Sequence, residues 1–368
     1  MIEKCFLMKN SSIPFNSSNI KQLFSKNFFL VIFISIPSAI IADYFNIPLA
    51  WMLGPMLAVS IAALAGVNVK MPKLALSSIL IILGLHIGNY IDQNLINQMK
   101  EWIWTSAIMF VYILLSILIV SKYLQKYSGY KEKTSIFSAA PGALGPLLIL
   151  AEYEKSDLSQ VATSHLIRLI IIITVFPFFV VNFASTEAIE IEKFNFLDQN
   201  HFNLLILLAG SILLILLFDK IRVPAALLSG TLVASGILQI SEVASYKLPE
   251  QSIDYCLLIL GASVGCRFAD KSLNEVVRNA FHSFIATLLL VILGVIAAII
   301  SGYFVNANFL TLLLSFCPGG IYEVAVIAIA FNLDPNFVAF HHIIRLLMIL
   351  FTVPVILKLI DKKRSSNS

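Results

Sequence analysis

Ala140-Pro141-Gly142-Ala143-Leu144-Gly145-Pro146 and Cys317-Pro318-Gly319-Gly320-Ile321-Tyr322-Glu323 each interrupt a long apolar run, and their Pro-Gly pairs stand 177 positions apart. Proline removes a backbone donor and clashes with the preceding turn, while glycine accepts positive φ, so neither run continues as one helix. At membrane depth, irregular backbone survives only where protein or a water-filled cavity surrounds it. Each stretch therefore reads as a broken or re-entrant element inside a bundle of membrane helices.

The flanking sequence repeats as well. Asp43, Pro48, Ala50 and Gly54 return as Asp219, Pro224, Ala226 and Gly230, 176 positions on. Gly84 and Gly88 return as Gly261 and Gly265, His165-Leu166-Ile167-Arg168 as His342-Ile343-Ile344-Arg345, and Pro177 as Pro354, all 177 on. One inserted residue accounts for the drift. A two-fold repeat of this length in an apolar chain points to a membrane transporter. The resulting divisions are a polar tail at 1–27, a first membrane repeat at 28–183, an acidic linker at 184–201, a second repeat at 202–360 and a basic tail at 361–368.

Composition agrees with that class. The chain is 59% hydrophobic with a mean hydropathy of +0.90, and 12% of its residues are charged, against roughly 25% in soluble domains. The net charge of +4 is spread over short loops and both ends, which excludes the concentrated basic face that nucleic acid requires. Cys5, Cys256, Cys266 and Cys317 show no ligand spacing and read as small apolar residues, so neither metal nor cofactor is expected. Lys26 before an apolar run ending at Ala42 has the layout of a signal peptide. Because Asp43 to Gly54 has its copy deep in the chain, that run reads instead as a retained helix and the leader as a disordered cytoplasmic tail.

Six apolar segments fall in each half: 28–42, 49–66, 74–91, 102–121, 134–151 and 159–183, then 202–218, 225–241, 253–268, 280–305, 309–331 and 337–360. Several are shorter than the ~20 residues of an upright span. Lysine and arginine choose the topology. If all twelve segments span, in two parallel repeats, 16 basic residues lie inside and 7 outside. If the fifth segment of each half enters and leaves on one side, the split becomes 20 to 3, with Arg168 and Arg345 inside the membrane. The second arrangement gives an all-α polytopic protein of two inverted repeats, each with about five spans and one re-entrant Pro-Gly segment. Both termini then face the cytoplasm of a bacterial inner membrane, and the acidic linker faces out.

The candidate site residues are charges inside apolar runs. His165 and Arg168, like His342 and Arg345, share a helix face at a spacing of three. A membrane arginine faces protein or water. These pairs either brace the broken segments through freed carbonyls, or bind an anionic group and relay protons. Glu323 is the one carboxylate within either broken segment, and Pro146 occupies its place in the first copy. It reads either as the group that couples to H⁺ or Na⁺, or as the acid of a buried pair with a cation such as Arg345. Asp43 and Asp219 end their helices beside prolines and read first as turn or cap residues. His86, between Gly84 and Gly88, is a secondary candidate, and His341 is expected at an interface.

Ile47-Pro48-Leu49-Ala50-Trp51-Met52-Leu53-Gly54 is similar to the opening motif of the membrane AbrB family of duplicated bacterial proteins. Cys317 to Glu323, followed by His341-His342-Ile343-Ile344-Arg345-Leu346-Leu347, resembles that family's second-half signature over a match of about 28–358. The first copy departs from the signature, since Pro141-Gly142 is not followed by a second glycine and an acid. Family members carry labels of transcriptional regulator or ammonia monooxygenase, and the residues fit neither. A copper oxygenase needs converging ligands, whereas His341 and His342 diverge by about 100° on a helix.

The expected protein is thus not an enzyme but a secondary-transporter-like membrane protein. It moves a small, anionic solute with H⁺ or Na⁺, using Pro141, Gly142, Pro318, Gly319, Gly320, Arg168, Arg345, His165, His342 and Glu323. Its partners are the bilayer and that solute, and glycine-rich helix faces permit a homodimer. The rival reading is a membrane-embedded regulatory or sensory protein without transport. A sensor should offer a sizeable soluble output region, and the longest polar stretches are the leader and the linker.

Overall fold

The computed structural model describes residues 17–91, 95–183, 201–221, 223, 225–249, 251–269, 271 and 273–367. These form fifteen helices and no strand. Among the described residues, six helical stretches are long and apolar enough to cross a membrane: Lys26–Tyr44, Gln98–Ser128, Leu158–Val181, His201–Lys220, Val276–Ser301 and Pro335–Lys362. The chain is an all-helical, polytopic membrane protein. The acidic linker at 184–200, most of the N-terminal tail and Pro224 lie outside the described residues.

The first half opens with α1 (Ser17–Leu23) and α2 (Lys26–Tyr44). The leader is therefore not unstructured throughout, because its last part is helical. Ser25 then caps α2 by accepting from the Phe28 N–H at 3.3 Å. Next come α3 (Ala50–Leu64), α4 (Lys73–Gly88) and α5 (Leu95–Ser128). In the second half α9 (His201–Lys220) precedes α10 (Ala226–Ile240), α11 (Gln251–Cys266) and α12 (Leu273–Ser301). Both α5 and α12 begin well before the apolar segments they contain, because polar helix-forming residues extend them.

The four helices of 15–16 residues, α3, α4, α10 and α11, rise only ~22–24 Å at 1.5 Å per residue. They pack in the interior, α11 on α3 and α10 on α4. A Cβ on Gly261 would lie 2.2 Å from the Met52 carbonyl oxygen, and one on Gly88 would lie 2.3 Å from Ser235 Cβ. The paired glycines of the sequence are therefore places where helix backbones touch, as small residues allow in membranes. Both α3 and α10 are entered through a left-handed residue, Leu49 at φ 51° and Ala225 at φ 54°.

Each broken segment is a pair of short helices. In the first half α6 (Glu132–Ala139) and α7 (Leu144–Tyr153) flank the break, followed by α8 (Leu158–Phe183). In the second, α13 (Phe309–Phe316) and α14 (Ile321–Ala330) precede α15 (Pro335–Asn367). Lys133 Nζ, in the first turn of α6, lies 2.6 Å from Glu154 Oε2 just past α7, and 3.1 Å from Asp361 Oδ2 in α15. The Asp157 N–H also donates to Thr134 Oγ1 at 3.2 Å. The two ends of the first broken segment thus lie side by side. The chain then re-enters regular helix at an aspartate: Asp157 Oδ1 accepts from the Gln160 N–H, and Asp334 Oδ1 from the Asn336 and Phe337 N–H groups, all at 3.0 Å.

Candidate functional site

The break begins identically in both segments. Ala140 (φ −62°, ψ 129°) and Cys317 (φ −60°, ψ 128°) turn the chain out of helix. Around the following proline, Gly142 N–H donates to Ala140 O at 2.9 Å and Gly319 N–H to Cys317 O at 2.8 Å, the three-residue bond of a γ-turn. A helix end leaves its last carbonyls without intrahelical donors. The His-Arg pairs supply them. His165 Nε2 meets Phe137 O at 2.9 Å and Arg168 donates to Ala140 O at 3.0 Å. At the positions 177 residues later, His342 Nε2 meets Leu314 O at 3.1 Å, and Arg345 donates to Cys317 O and, at 2.7 Å, to Gly319 O.

Arginine only donates, so the nitrogen it faces must accept. Arg168 bonds His165 Nδ1, and Arg345 bonds His342 Nδ1 at 3.0 Å. Each imidazole therefore carries its proton on Nε2, where it donates to the carbonyl, and is neutral. Both nitrogens of each ring are engaged, so this arrangement braces the break.

The arginines are different. Both are 3% exposed, every acceptor they meet is neutral, and among the described residues no carboxylate pairs with either guanidinium. A buried cation without a counter-charge costs several kcal/mol. Arg345 also crosses to the other break: a Cβ on Gly142, which has φ 126°, would lie 3.1 Å from Arg345 Nη2. The charge of Arg345 acts on Arg168 as well. The two broken segments meet here, with two positive charges between them.

Two residues that sequence reasoning missed complete the site. Tyr112 on α5 is buried, its ring lies edge-on to Phe316 at 5.9 Å, and it is within electrostatic reach of Arg168, Arg345 and Cys317. Its hydroxyl lies by that of Ser116, one turn on, and neither makes a well-aligned hydrogen bond. Arg267, just past α11, holds Glu323: its Nη2 is 3.3 Å from Glu323 Oε1. The expected pairing of Glu323 with Arg345 is thus corrected: Arg345 turns to the carbonyls of its own break, with donors to spare, and Glu323 meets Arg267 instead. Glu323 is 2% exposed in the first turn of α14, and its carboxylate folds over Gly320, where a Cβ would lie 2.1 Å from Oε2. An apolar run containing one tyrosine gives no signal for Tyr112, and a loop arginine at a helix end gives none for Arg267.

The remaining candidates lie apart from these contacts. His341 is not interfacial. It is fully buried, stacked on Phe337 at 4.1 Å, and bonds Thr105 Oγ1 at 2.6 Å and Phe337 O at 2.8 Å. Its neighbour His342 faces the break, so the divergence of the two rings is as the helix dictates. His86 bonds Ser252 Oγ at 2.7 Å. Asp43 is exposed at the end of α2, and Asp219 is half-buried in the last turn of α9. Among the described residues, no three His, Cys, Asp or Glu side chains gather as metal ligands.

The family model described as "Transition state regulatory protein AbrB" matches residues 51–361. The chain is similar to a protein of Escherichia coli K12 named "Putative regulator AbrB", at 25% identity over 86% of this chain and 91% of the relative. It is also similar to "Uncharacterized protein YhjN" of Bacillus subtilis 168, at 21% identity over 91% of this chain and 94% of the relative. No solved structure matches it.

Proposed function

The chain belongs to the AbrB family, and we propose that it is a secondary transporter of the bacterial inner membrane moving a small anion with H⁺ or Na⁺. The observation that carries this reading is the pair of buried guanidiniums, Arg168 and Arg345, which meet only neutral partners where two broken segments converge. Buried charges inside membrane bundles mark substrate or ion paths, and broken segments near the midplane are where transporters bind. An anion seated there would supply the missing counter-charge. Glu323, released from Arg267, is the group that would take up the coupling ion.

In this proposal each half has five spans and one re-entrant hairpin, and the halves are inverted, with both termini in the cytoplasm. Support for the hairpin is the 2.6 Å contact between Lys133 and Glu154 at the two ends of the first broken segment. Support for inversion is the 20 to 3 split of basic residues, and support for the repeat is the recurrence of each His-Arg brace 177 residues on. The proposal involves no enzymatic step, and the bilayer and the solute are the partners it requires. The names of the relatives speak of regulation. A regulatory membrane protein without flux is accordingly the alternative outcome.

The test is substrate-dependent H⁺ or Na⁺ flux in proteoliposomes, with Glu323→Gln and Arg345→Gln beside the wild type over a panel of small anions. Flux by the wild type, lost in both variants, supports transport. Absence of flux for every anion, with both variants indistinguishable from wild type in anion binding, overturns it. Reporter fusions near residues 190 and 245 should read outside and near 272 inside; an inside signal at 190 refutes the inverted arrangement.

A further inference from the structure

We infer that the anion is divalent and that Tyr112 is its third ligand, an inference that rests on the transport reading above. The charge count of the site carries it. His165 and His342 are neutral, since each accepts an arginine N–H at Nδ1 and donates from Nε2. Glu323 is balanced by Arg267. Arg168 and Arg345 remain, giving two positive charges that no described acidic residue balances. A monovalent anion leaves one buried guanidinium without a counter-charge, the costly state for a buried ion. An anion with two negative charges cancels both.

An independent observation points to the same place. The buried Tyr112 hydroxyl makes no well-aligned hydrogen bond, its polar neighbour being the Ser116 hydroxyl one turn along α5, although a buried polar group is nearly always hydrogen-bonded. It is held beside the second break by its contact with Phe316 and lies within electrostatic reach of both arginines. A phenol within electrostatic reach of two guanidiniums, which only donate, can usefully donate to an acceptor, and an oxyanion is the strongest acceptor available. The position 177 residues after Tyr112 is Leu289, so this donor belongs to one copy alone. The shared ligand chemistry is two negative charges on the oxygens of one small anion, whether two carboxylates or a doubly ionised inorganic oxyanion.

Binding to the purified full-length chain in detergent, measured by titration calorimetry at pH 7.5, tests this with four probes. Succinate and sulfate represent the two divalent sources, and butyrate and chloride are monovalent controls. We expect one of the divalent anions to bind at least tenfold more tightly than either control. Arg168→Gln and Arg345→Gln should each abolish that preference, and Tyr112→Phe should weaken the divalent anion several-fold while the thermal midpoint stays near that of the wild type. The inference is overturned if butyrate or chloride binds as tightly as the divalent anions, if none of the four binds, or if Tyr112→Phe binds like wild type. Arginine-dependent binding or flux of a monovalent anion would sink divalency alone and leave the transport reading standing. Loss of the transport reading is decided separately, by flux.

Discussion

Removing Arg267 should expose how much of the second broken segment's stability rests on one ion pair. At the observed separation of 3.3 Å, two unit charges attract by about 1.3 kcal/mol in bulk water and about 5 kcal/mol at an effective permittivity of 20. Arg267 is 35% exposed and Glu323 2%, so solvent screens one end and the net coupling falls to about 1–3 kcal/mol. Arg267→Gln leaves a buried carboxylate without its cation and should cost about 2 kcal/mol. Glu323→Gln leaves a cation that can turn to water, and should cost less. The double variant should resemble Glu323→Gln alone, because the unpaired carboxylate has gone. Thermal unfolding of all four proteins in one detergent closes the cycle. Double-variant losses equal to the sum of the singles, within about 0.5 kcal/mol, would refute the pair as an energetic unit.

Glycine packing gives a contrast of opposite signs. Gly261→Ala forces a methyl against the Met52 carbonyl and should lower the thermal midpoint by the equivalent of about 1–3 kcal/mol. Gly145→Ala meets nothing within 4 Å at the start of α7 and should raise stability by up to about 1 kcal/mol; equal effects from the two would contradict the backbone contact. His342→Ala leaves the Leu314 carbonyl with the Cys317 N–H as its remaining donor and should cost about 0.5–1.5 kcal/mol in the same assay. Because the ring is neutral and braced at both nitrogens, the shape of any flux profile between about pH 5 and 8 should survive; a lost acid limb would make it a proton carrier. Gly320→Ala displaces the Glu323 carboxylate, so flux should fall at least as far as in Arg267→Gln while expression and monodispersity stay normal. Full activity in that variant would show that the carboxylate position is immaterial.

The broken segments, the His-Arg braces and the glycine contacts were legible because each is written twice and each uses a residue type with few alternatives. Proline cannot continue a helix in mid-segment without a cost. Yet α8 and α15 run through Pro177 and Pro354, which shows that proline alone does not locate a break. The adjoining glycines do, together with the histidine and arginine whose side chains meet the carbonyls of Phe137, Ala140, Leu314 and Cys317 at the breaks. Partner choice was not legible. Glu323 stands 22 residues before Arg345 and 56 after Arg267, and only the fold brings the second of these within reach. The interior position of His341 was missed for a similar reason: its neighbours Thr105 and Phe316 come from two other helices, α5 and α13, and adjacent histidines on one helix do not reveal what each side meets.

The two breaks share the conformation of Ala140 and Cys317 and the γ-turn that follows, and then part at the glycine, since Gly142 has φ 126° and Gly319 lies outside the left-handed region. Ala143 enters α7 at φ 61°, whereas its positional counterpart Gly320 enters α14 extended at φ −79°. That difference has a consequence for charge. An alanine Cβ at 320 would occupy the place of the Glu323 carboxylate, so the acid and the second glycine require each other. The first copy has Ala143 and Pro146 at these positions; it lacks both, and keeps a site with a cation and no acid. Conversely, Gly142 has the open face on which Arg345 rests, while the equivalent face of Gly319 is filled by Val324 at 2.7 Å from the Cβ position. One copy therefore lends its glycine to the other's arginine, and the other supplies the carboxylate. In the transport reading this divides the labour: the anion is held by both arginines at the crossing, and the coupling ion is handled at α14 alone. A mechanism with two equivalent half-sites is incompatible with that geometry, since only one break has an ionisable group that can be set free.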